Sequence, residues 1–166
     1  MLDDLPASRR GADPRHEGGV PEIRWHVLSA DERARLQHAA ATILPRYEWV
    51  RAAWLHGSAA PEGHPGRDLD IGLLARPLPR KWGEEARLAG DLAEATGIHD
   101  VPFDVRVVNG ASPVFLNNML RSAVRLYEAD RGERILFEAR AMALWLDFQP
   151  VWEKLRREAL ERWSHG

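Results

Sequence analysis

Two short apolar segments joined by a loop rich in glycine and proline constrain the fold of this chain more than any other feature. The first is WVRAAWLH, residues 49–56, and the second is LDIGLLA, residues 69–75. Both are short and are bounded by turn-forming residues, which is typical of buried strands. Asp68-Leu69-Asp70 opens the second segment, so two carboxylates accompany a run that is otherwise apolar.

The two aspartates raise an electrostatic question. Residues i and i+2 of a strand point to the same face, so we expect Asp68 and Asp70 to project together. Two adjacent carboxylates repel, and without a counter-charge one of them takes up a proton. A divalent cation removes this conflict, and Mg²⁺ prefers carboxylate and phosphate oxygens. Taken alone, the pair fits a solvated strand end equally well.

Gly57-Ser58 follows the first apolar segment directly and favours a metal site over a solvated strand end. Backbone N–H groups at such a turn can hold phosphates, the glycine permits close approach, and the serine hydroxyl adds a donor. A turn glycine with a capping serine is the alternative. A P-loop is excluded because no Gly-Lys-Ser/Thr follows, and a nucleophile elbow is excluded because Ser58 lacks the Gly-x-Ser-x-Gly frame.

A third carboxylate, Asp104, lies in the alternating segment FDVRVVN, residues 103–109. If this segment forms a strand beside 69–75, Asp104 comes near the other two aspartates, although Arg106 is an alternative partner for it. Three carboxylates in this order predict a site for two metal ions, with Asp104 bridging them or accepting the proton of an attacking hydroxyl. Arg67 either neutralises triphosphate charge or is simply solvated.

The remaining segments predict helices alternating with these strands. We expect helices over 30–44, 84–97, 112 to about 123, and from 131 onward with a break near Pro150, and a short edge strand over 124–129. This order gives an α/β sandwich around a small sheet. Trp49, Trp54, Trp145 and Trp152 are expected in the core, together with most of an apolar stripe that includes Leu136, Met142, Leu146 and Phe148.

Length and composition limit the remaining possibilities. We interpret residues 1–22 as a flexible tail and residues 23–166 as one domain. The chain has no cysteine, which excludes disulfides and thiolate zinc sites, and His56 and His64 lack a third zinc ligand at suitable spacing. The net charge is −2, and no apolar run is long enough for a membrane or an export signal. We expect a cytoplasmic protein without strong nucleic-acid binding.

These motifs resemble those of the DNA polymerase β-type nucleotidyltransferase superfamily. Gly57-Ser58, then Asp68-Leu69-Asp70, then Asp104 in an apolar strand carry the resemblance. The chain is short and its segment from residue 123 is similar to the tail of minimal nucleotidyltransferase (MNT) antitoxins, which partner HEPN-domain ribonuclease toxins. The resemblance implies a mixed sheet flanked by helices, and transfer of AMP from ATP, with Mg²⁺, to a tyrosine of the toxin.

The same resemblance assigns roles to the site residues. Asp68 and Asp70 would hold the metal ions, Asp104 would complete the site and help deprotonate the acceptor, and Gly57 and Ser58 would hold the ATP phosphates. Two alternatives stay open. One is a nucleotidyltransferase that modifies a small molecule such as an antibiotic, and the other is an antitoxin that acts by binding alone.

Overall fold

The computed structural model describes residues 25–164, so the tail expected over 1–22 lies outside the described residues. The elements in chain order are β1 (His26–Val27), α1 (Ala30–Ile43), a 3₁₀ turn (Leu44–Arg46), β2 (Val50–His56), β3 (Pro65–Gly66), β4 (Leu69–Ala75), α2 (Glu84–Thr96), β5 (Phe103–Val107), α3 (Pro113–Ser122), β6 (Val124–Glu128) and α4 (Arg131–Ser164). The predicted strands and helices are therefore present, with ends that differ by a few residues.

The central sheet has four strands in the order β5-β4-β2-β6. Strand β2 pairs antiparallel with β4 and with β6, whereas β4 and β5 are parallel, so the sheet is mixed, as predicted. The two apolar segments form the two central strands, and the expected edge strand lies at one edge. The separate pair β1–β3 was not predicted, because two-residue strands carry no readable periodicity.

Local signals begin and end the helices where the sequence predicts. Ser29 Oγ accepts from the Glu32 N–H at 3.2 Å while Glu32 accepts from the Ser29 N–H at 2.8 Å, which is a complete capping box. Gly97 ends α2 in the left-handed conformation, and Ser112 caps α3 through the Phe115 N–H. These local contacts set where α1 and α3 begin and where α2 ends.

Apolar side chains cover both faces of the sheet. Helices α1 and α2 pack on one face, over a core that includes Leu36, Leu55, Leu69, Ile71, Leu73, Leu88 and Leu92. Helix α3 and the first part of α4 pack on the other, over Ala52, Trp54, Leu74, Val108, Leu116, Met119 and Ala141. Trp49 and Trp54 are buried as predicted, with 9% and 2% of their surfaces exposed, and they belong to different faces.

Two expectations for the C-terminal region are wrong. Helix α4 continues through Pro150 as a single element. Pro150 lacks an N–H and crowds the carbonyl four residues earlier, but this turn is exposed, so water can satisfy the released carbonyl.

No helix among residues 25–164 is long and apolar enough to cross a membrane.

The predicted apolar stripe of α4 is also wrong in its membership. Leu136, Met142 and Leu146 are exposed, and so is Trp152. The side of α4 that packs on the domain carries Phe137 and Ala141 instead. Leu136, Met142 and Leu146 point away from that side, because with 3.6 residues per turn they lie at angles different from those of Phe137 and Ala141.

Candidate active site

Three carboxylates converge where β4 and β5 begin. Asp70 and Asp104 are partners in the parallel register of these strands, and Asp68 lies immediately before β4. One ligand oxygen from each aspartate lies within 4.8 Å of those of the other two. For the three aspartates to meet, β4 and β5 had to be neighbours, and the two strands are paired.

The environment of Asp70 disfavours a free negative charge. Burial raises the pKa of the Asp70 carboxyl to about 6, and the neighbouring charges of Asp68 and Asp104 add to this effect. The guanidinium of Arg106 opposes the shift. A carboxylate at this position is costly unless a cation compensates it.

Asp104 has the cationic partner that the sequence offered as an alternative. Arg106 donates from Nε to Asp104 Oδ1 at 2.9 Å and from Nη2 to Oδ2 at 2.5 Å. This bidentate pair lowers the pKa of Asp104 below its usual range and keeps the carboxylate ionised. The Arg106 side chain is 72% exposed, so it can exchange this contact for water at small cost.

Gly57 lies directly against the carboxylates. It follows the last residue of β2, His56, which is the antiparallel partner of Asp70. Gly57 has a φ of +72°, and a Cβ at this position would lie 2.1 Å from Asp70 Oδ2. Glycine is therefore required here both for its backbone conformation and for the space beside the carboxylate.

Ser58 is exposed beside the same carboxylates and is backed by Gly66 of β3. A Cβ on Gly66 would lie 3.2 Å from Ser58 Oγ and 2.8 Å from Ala59 Cβ. Glycine at position 66 therefore permits the close approach of the chain around Ser58 and Ala59. The turn leaves the Ser58 side chain at the surface, where it can meet a ligand.

Arg33 of α1 anchors the chain after Ser58, and sequence reasoning missed it. Its guanidinium donates to three successive carbonyl oxygens, those of Ala59 at 2.9 Å, Ala60 at 2.9 Å and Pro61 at 2.8 Å. Ala59 and Ala60 are buried. Nothing in the sequence relates Arg33 to a loop 26 residues away, because one arginine among many on a helix carries no distinguishing signal.

The remaining candidates have ordinary surroundings. The guanidinium of Arg67 lies 5.6 Å from the ring centroid of Trp25, which is its described contact, so the structure does not bring it onto the carboxylates. His56 contacts the ring of Phe115 edge-on, and burial lowers its pKa, which keeps it neutral. His64 is exposed in the loop.

The donor set fits a hard divalent cation. Among the described residues, the cluster of metal-ligating side chains consists of three aspartates and includes no histidine. Carboxylate oxygens are the ligands that Mg²⁺ prefers. The pKa of Asp70 is raised first by burial and then by the charges of Asp68 and Asp104, and a bound cation would oppose both effects. The chemistry of the residues present is thus compatible with Mg²⁺.

Comparison with known protein families agrees with this geometry. The family model described as polymerase beta, nucleotidyltransferase matches residues 39–132, which is more than half of the chain and contains all three aspartates and Gly57-Ser58. The chain belongs to this nucleotidyltransferase family. Membership shows that it is an enzyme of the nucleotidyltransferase type with the fold predicted from its motifs.

Solved structures with the same fold come from MNT–HEPN toxin–antitoxin systems. A mutant MntA–HepT toxin–antitoxin structure has a TM-score of 0.61 at 17% identity, covering 75% of this chain and 98% of the other. The structure of a tri-AMPylated Shewanella oneidensis HEPN toxin in complex with MNT antitoxin has a TM-score of 0.56 at 19% identity. A toxin–antitoxin structure with AMP-PNP has a TM-score of 0.58 at 18% identity. Both matches cover 75% of this chain and 98% of the other. No functionally described protein sequence matches significantly. At these identities the likeness shows the fold alone.

Proposed function

We propose that this chain transfers AMP from ATP to a tyrosine hydroxyl of a HEPN-type ribonuclease toxin and thereby acts as an antitoxin. The observation that carries the proposal is the convergence of three carboxylates with the Gly57–Ser58 turn at one end of the sheet. A structure with the same fold contains a tri-AMPylated HEPN toxin, which supports the choice of acceptor.

Each site residue has a distinct task in this reaction. Asp68, Asp70 and Asp104 would hold two Mg²⁺ ions, which when bound neutralise the carboxylates and the triphosphate and favour ionisation of the attacking hydroxyl. The N–H groups of Gly57 and Ser58, with the serine hydroxyl, bind the β- and γ-phosphates. Arg67, whose guanidinium lies 5.6 Å from the centroid of the Trp25 ring, would exchange this contact for the triphosphate.

The transfer step is an in-line displacement. The tyrosine oxygen forms a bond to the α-phosphorus while the bond from that phosphorus to its bridging oxygen breaks, and pyrophosphate leaves. Asp104 accepts the hydroxyl proton or passes it to water. To accept the proton, the Asp104 carboxylate must give up its hydrogen bonds from Arg106. The free-energy cost is small because Arg106 is exposed and can bind water instead.

The test is incubation of the full chain with α-labelled ATP, Mg²⁺ and a purified HEPN-type toxin, sought first among the products of the neighbouring genes. Label on a partner tyrosine, located by mass spectrometry, and loss of the partner's RNA cleavage are the expected results. The double substitution Asp68→Asn and Asp70→Asn, or excess chelator, should lower the rate of labelling by about a thousandfold or more.

The same experiment separates the alternatives. If the double variant still neutralises the toxin fully, the chain acts by binding and the catalytic proposal is wrong. If the partner is never labelled but a small hydroxylated compound is, the acceptor class is wrong although the nucleotidyltransferase chemistry stands.

A further inference from the structure

A cleft of about 680 Å³ lies beside the carboxylates, on the β5 side of the sheet. It is bounded by the segment 79–83, by the first turns of α2 and by the strand β5, and it reaches Asp104 and Arg106. We refer to it as the β5 cleft. It is separate from the turn at Gly57 and Ser58, which lies at the end of β2.

The strand order indicates which substrate the β5 cleft receives. Strand β4 lies between β2 and β5, so Gly57 flanks Asp70 on one side and Asp104 flanks it on the other. In an in-line displacement the attacking oxygen and the leaving pyrophosphate lie on opposite sides of the phosphorus. If the phosphates occupy the Gly57 side, as proposed above, the acceptor hydroxyl approaches from the side of Asp104 and the β5 cleft.

The β5 cleft is lined by three cations, Arg80, Lys81 and Arg106, against two carboxylates, Glu85 and Asp104, so its net charge is positive. Asp104 is paired with Arg106, whereas Glu85 accepts from the Val107 N–H at 2.9 Å and keeps its charge. Arg80 and Lys81 are exposed and have no carboxylate partner among the described residues. An acceptor with acidic groups near its hydroxyl would supply the missing counter-charges.

One aromatic ring adds a second element of recognition. Trp82 is fully exposed and lines the β5 cleft next to the two cations. A tryptophan without any burial loses the stabilisation that its large apolar surface usually provides. An exposed ring beside cations is suited to packing against an aromatic or apolar side chain of a bound peptide segment.

We infer that Arg80, Lys81 and Trp82 form an acceptor-binding surface for an acidic, tyrosine-containing polypeptide segment. The inference rests on the proposed function and adds the chemical character of the acceptor. Two unpaired cations on a chain of net charge −2 are too few to hold an RNA backbone, whose binding requires many phosphate contacts.

The test uses generic polymeric acceptors, so that no identified partner is needed. The full chain is incubated with α-labelled ATP, Mg²⁺ and either a random copolymer of glutamate and tyrosine or one of lysine and tyrosine. The acidic copolymer should be labelled at least about tenfold faster than the basic one. The double reversal Arg80→Glu and Lys81→Glu should remove or invert this preference while the affinity for ATP and Mg²⁺ stays unchanged.

Two further variants complete the design. The double reversal Arg46→Glu and Arg121→Glu makes the same charge change at exposed positions outside the β5 cleft, and it should keep the preference of the unmodified chain. Trp82→Ala should raise the KM for the acidic copolymer by about tenfold, the loss expected for one exposed aromatic anchor, and leave the KM for ATP unaltered.

The inference is overturned if the two copolymers are labelled equally, if neither is labelled, or if the reversal at Arg80 and Lys81 gives the same preference as the control. It is also overturned if transfer RNA, offered as acceptor in a parallel reaction, is labelled and the copolymers are not. These results are distinct from failure of the proposed function. If the proposed function fails, the chain does not label a HEPN-type partner, whichever residues occupy positions 80–82.

Discussion

The two flanks of Asp70 differ in how firmly the protein holds them. On the β2 side, the guanidinium of Arg33 binds the carbonyl oxygens of residues 59–61, directly after the Gly57-Ser58 turn, and two of these residues are buried. On the β5 side, Asp104 is held by an exposed arginine, and the adjoining segment 79–83 carries a fully exposed tryptophan. We refer to these as the loop flank and the β5 flank.

The difference matches the demands of the two proposed substrates. A triphosphate is the same in every turnover, so a rigid loop flank binds it with little loss of conformational entropy. A protein acceptor brings its own shape, and exposed side chains of the β5 flank can adjust to it. Substitutions on the loop flank, and at Asp70 between the two flanks, test this difference.

The largest effect is expected from Gly57→Ala on the loop flank. The new Cβ would displace the Asp70 carboxylate, so kcat/KM for nucleotidyl transfer should fall by about a hundredfold. Gly63→Ala is the matched control, because Gly63 has a φ of +73° but no atom within 4 Å of the added Cβ. Equal losses in both variants would mean that backbone strain, not contact with Asp70, explains the effect.

A smaller effect is expected from Arg33→Met, which removes three hydrogen bonds from the loop flank. The KM for ATP should rise by about tenfold while kcat changes less, because the phosphate-binding turn loses its fixed position. Arg33→Lys should restore part of the affinity. Arg35→Met, two residues further along α1 in a surface pair with Asp31, should leave the KM unchanged. A rise of the same size in Arg35→Met would contradict the anchoring role.

The smallest effect concerns stability and tests the carboxylates between the two flanks. Because the folded-state pKa of Asp70 is raised to about 6, its ionised form costs stability at pH 8, and this cost disappears below the unfolded value near pH 4. In chelator, Asp70→Asn should therefore raise the free energy of unfolding by about 1 kcal/mol at pH 8, a value reduced because the group is only half-buried.

Denaturant titrations at both pH values measure this difference. Asp100→Asn, in an exposed loop, is the control and should change nothing. A gain for Asp70→Asn that persists at pH 4 would show that packing, not charge, is responsible.

Much of the fold and most of the candidate site were predictable because they depend on local patterns. A short apolar run placed Asp70 on a strand with Asp68 immediately before it, alternation placed Asp104 on the next strand, and turn chemistry placed Gly57-Ser58 at the end of β2. The catalytic and binding roles of these residues, and of Arg67, stay predictions. The continuity of α4 through Pro150 was not predictable, because whether a proline ends a helix depends on the burial of its surroundings.

The sequence by itself determined the order of strands and helices, the residues that carry negative charge, and the family to which the chain belongs. Only the tertiary structure decided that β4 and β5 are neighbours, that Arg33 holds the loop of Ala59 and Ala60, and that the cations at 80 and 81 face the β5 cleft. The physical reason is distance along the chain. Periodicity and capping act over a few residues, whereas these contacts join segments that only the packing of the sheet and helices brings together.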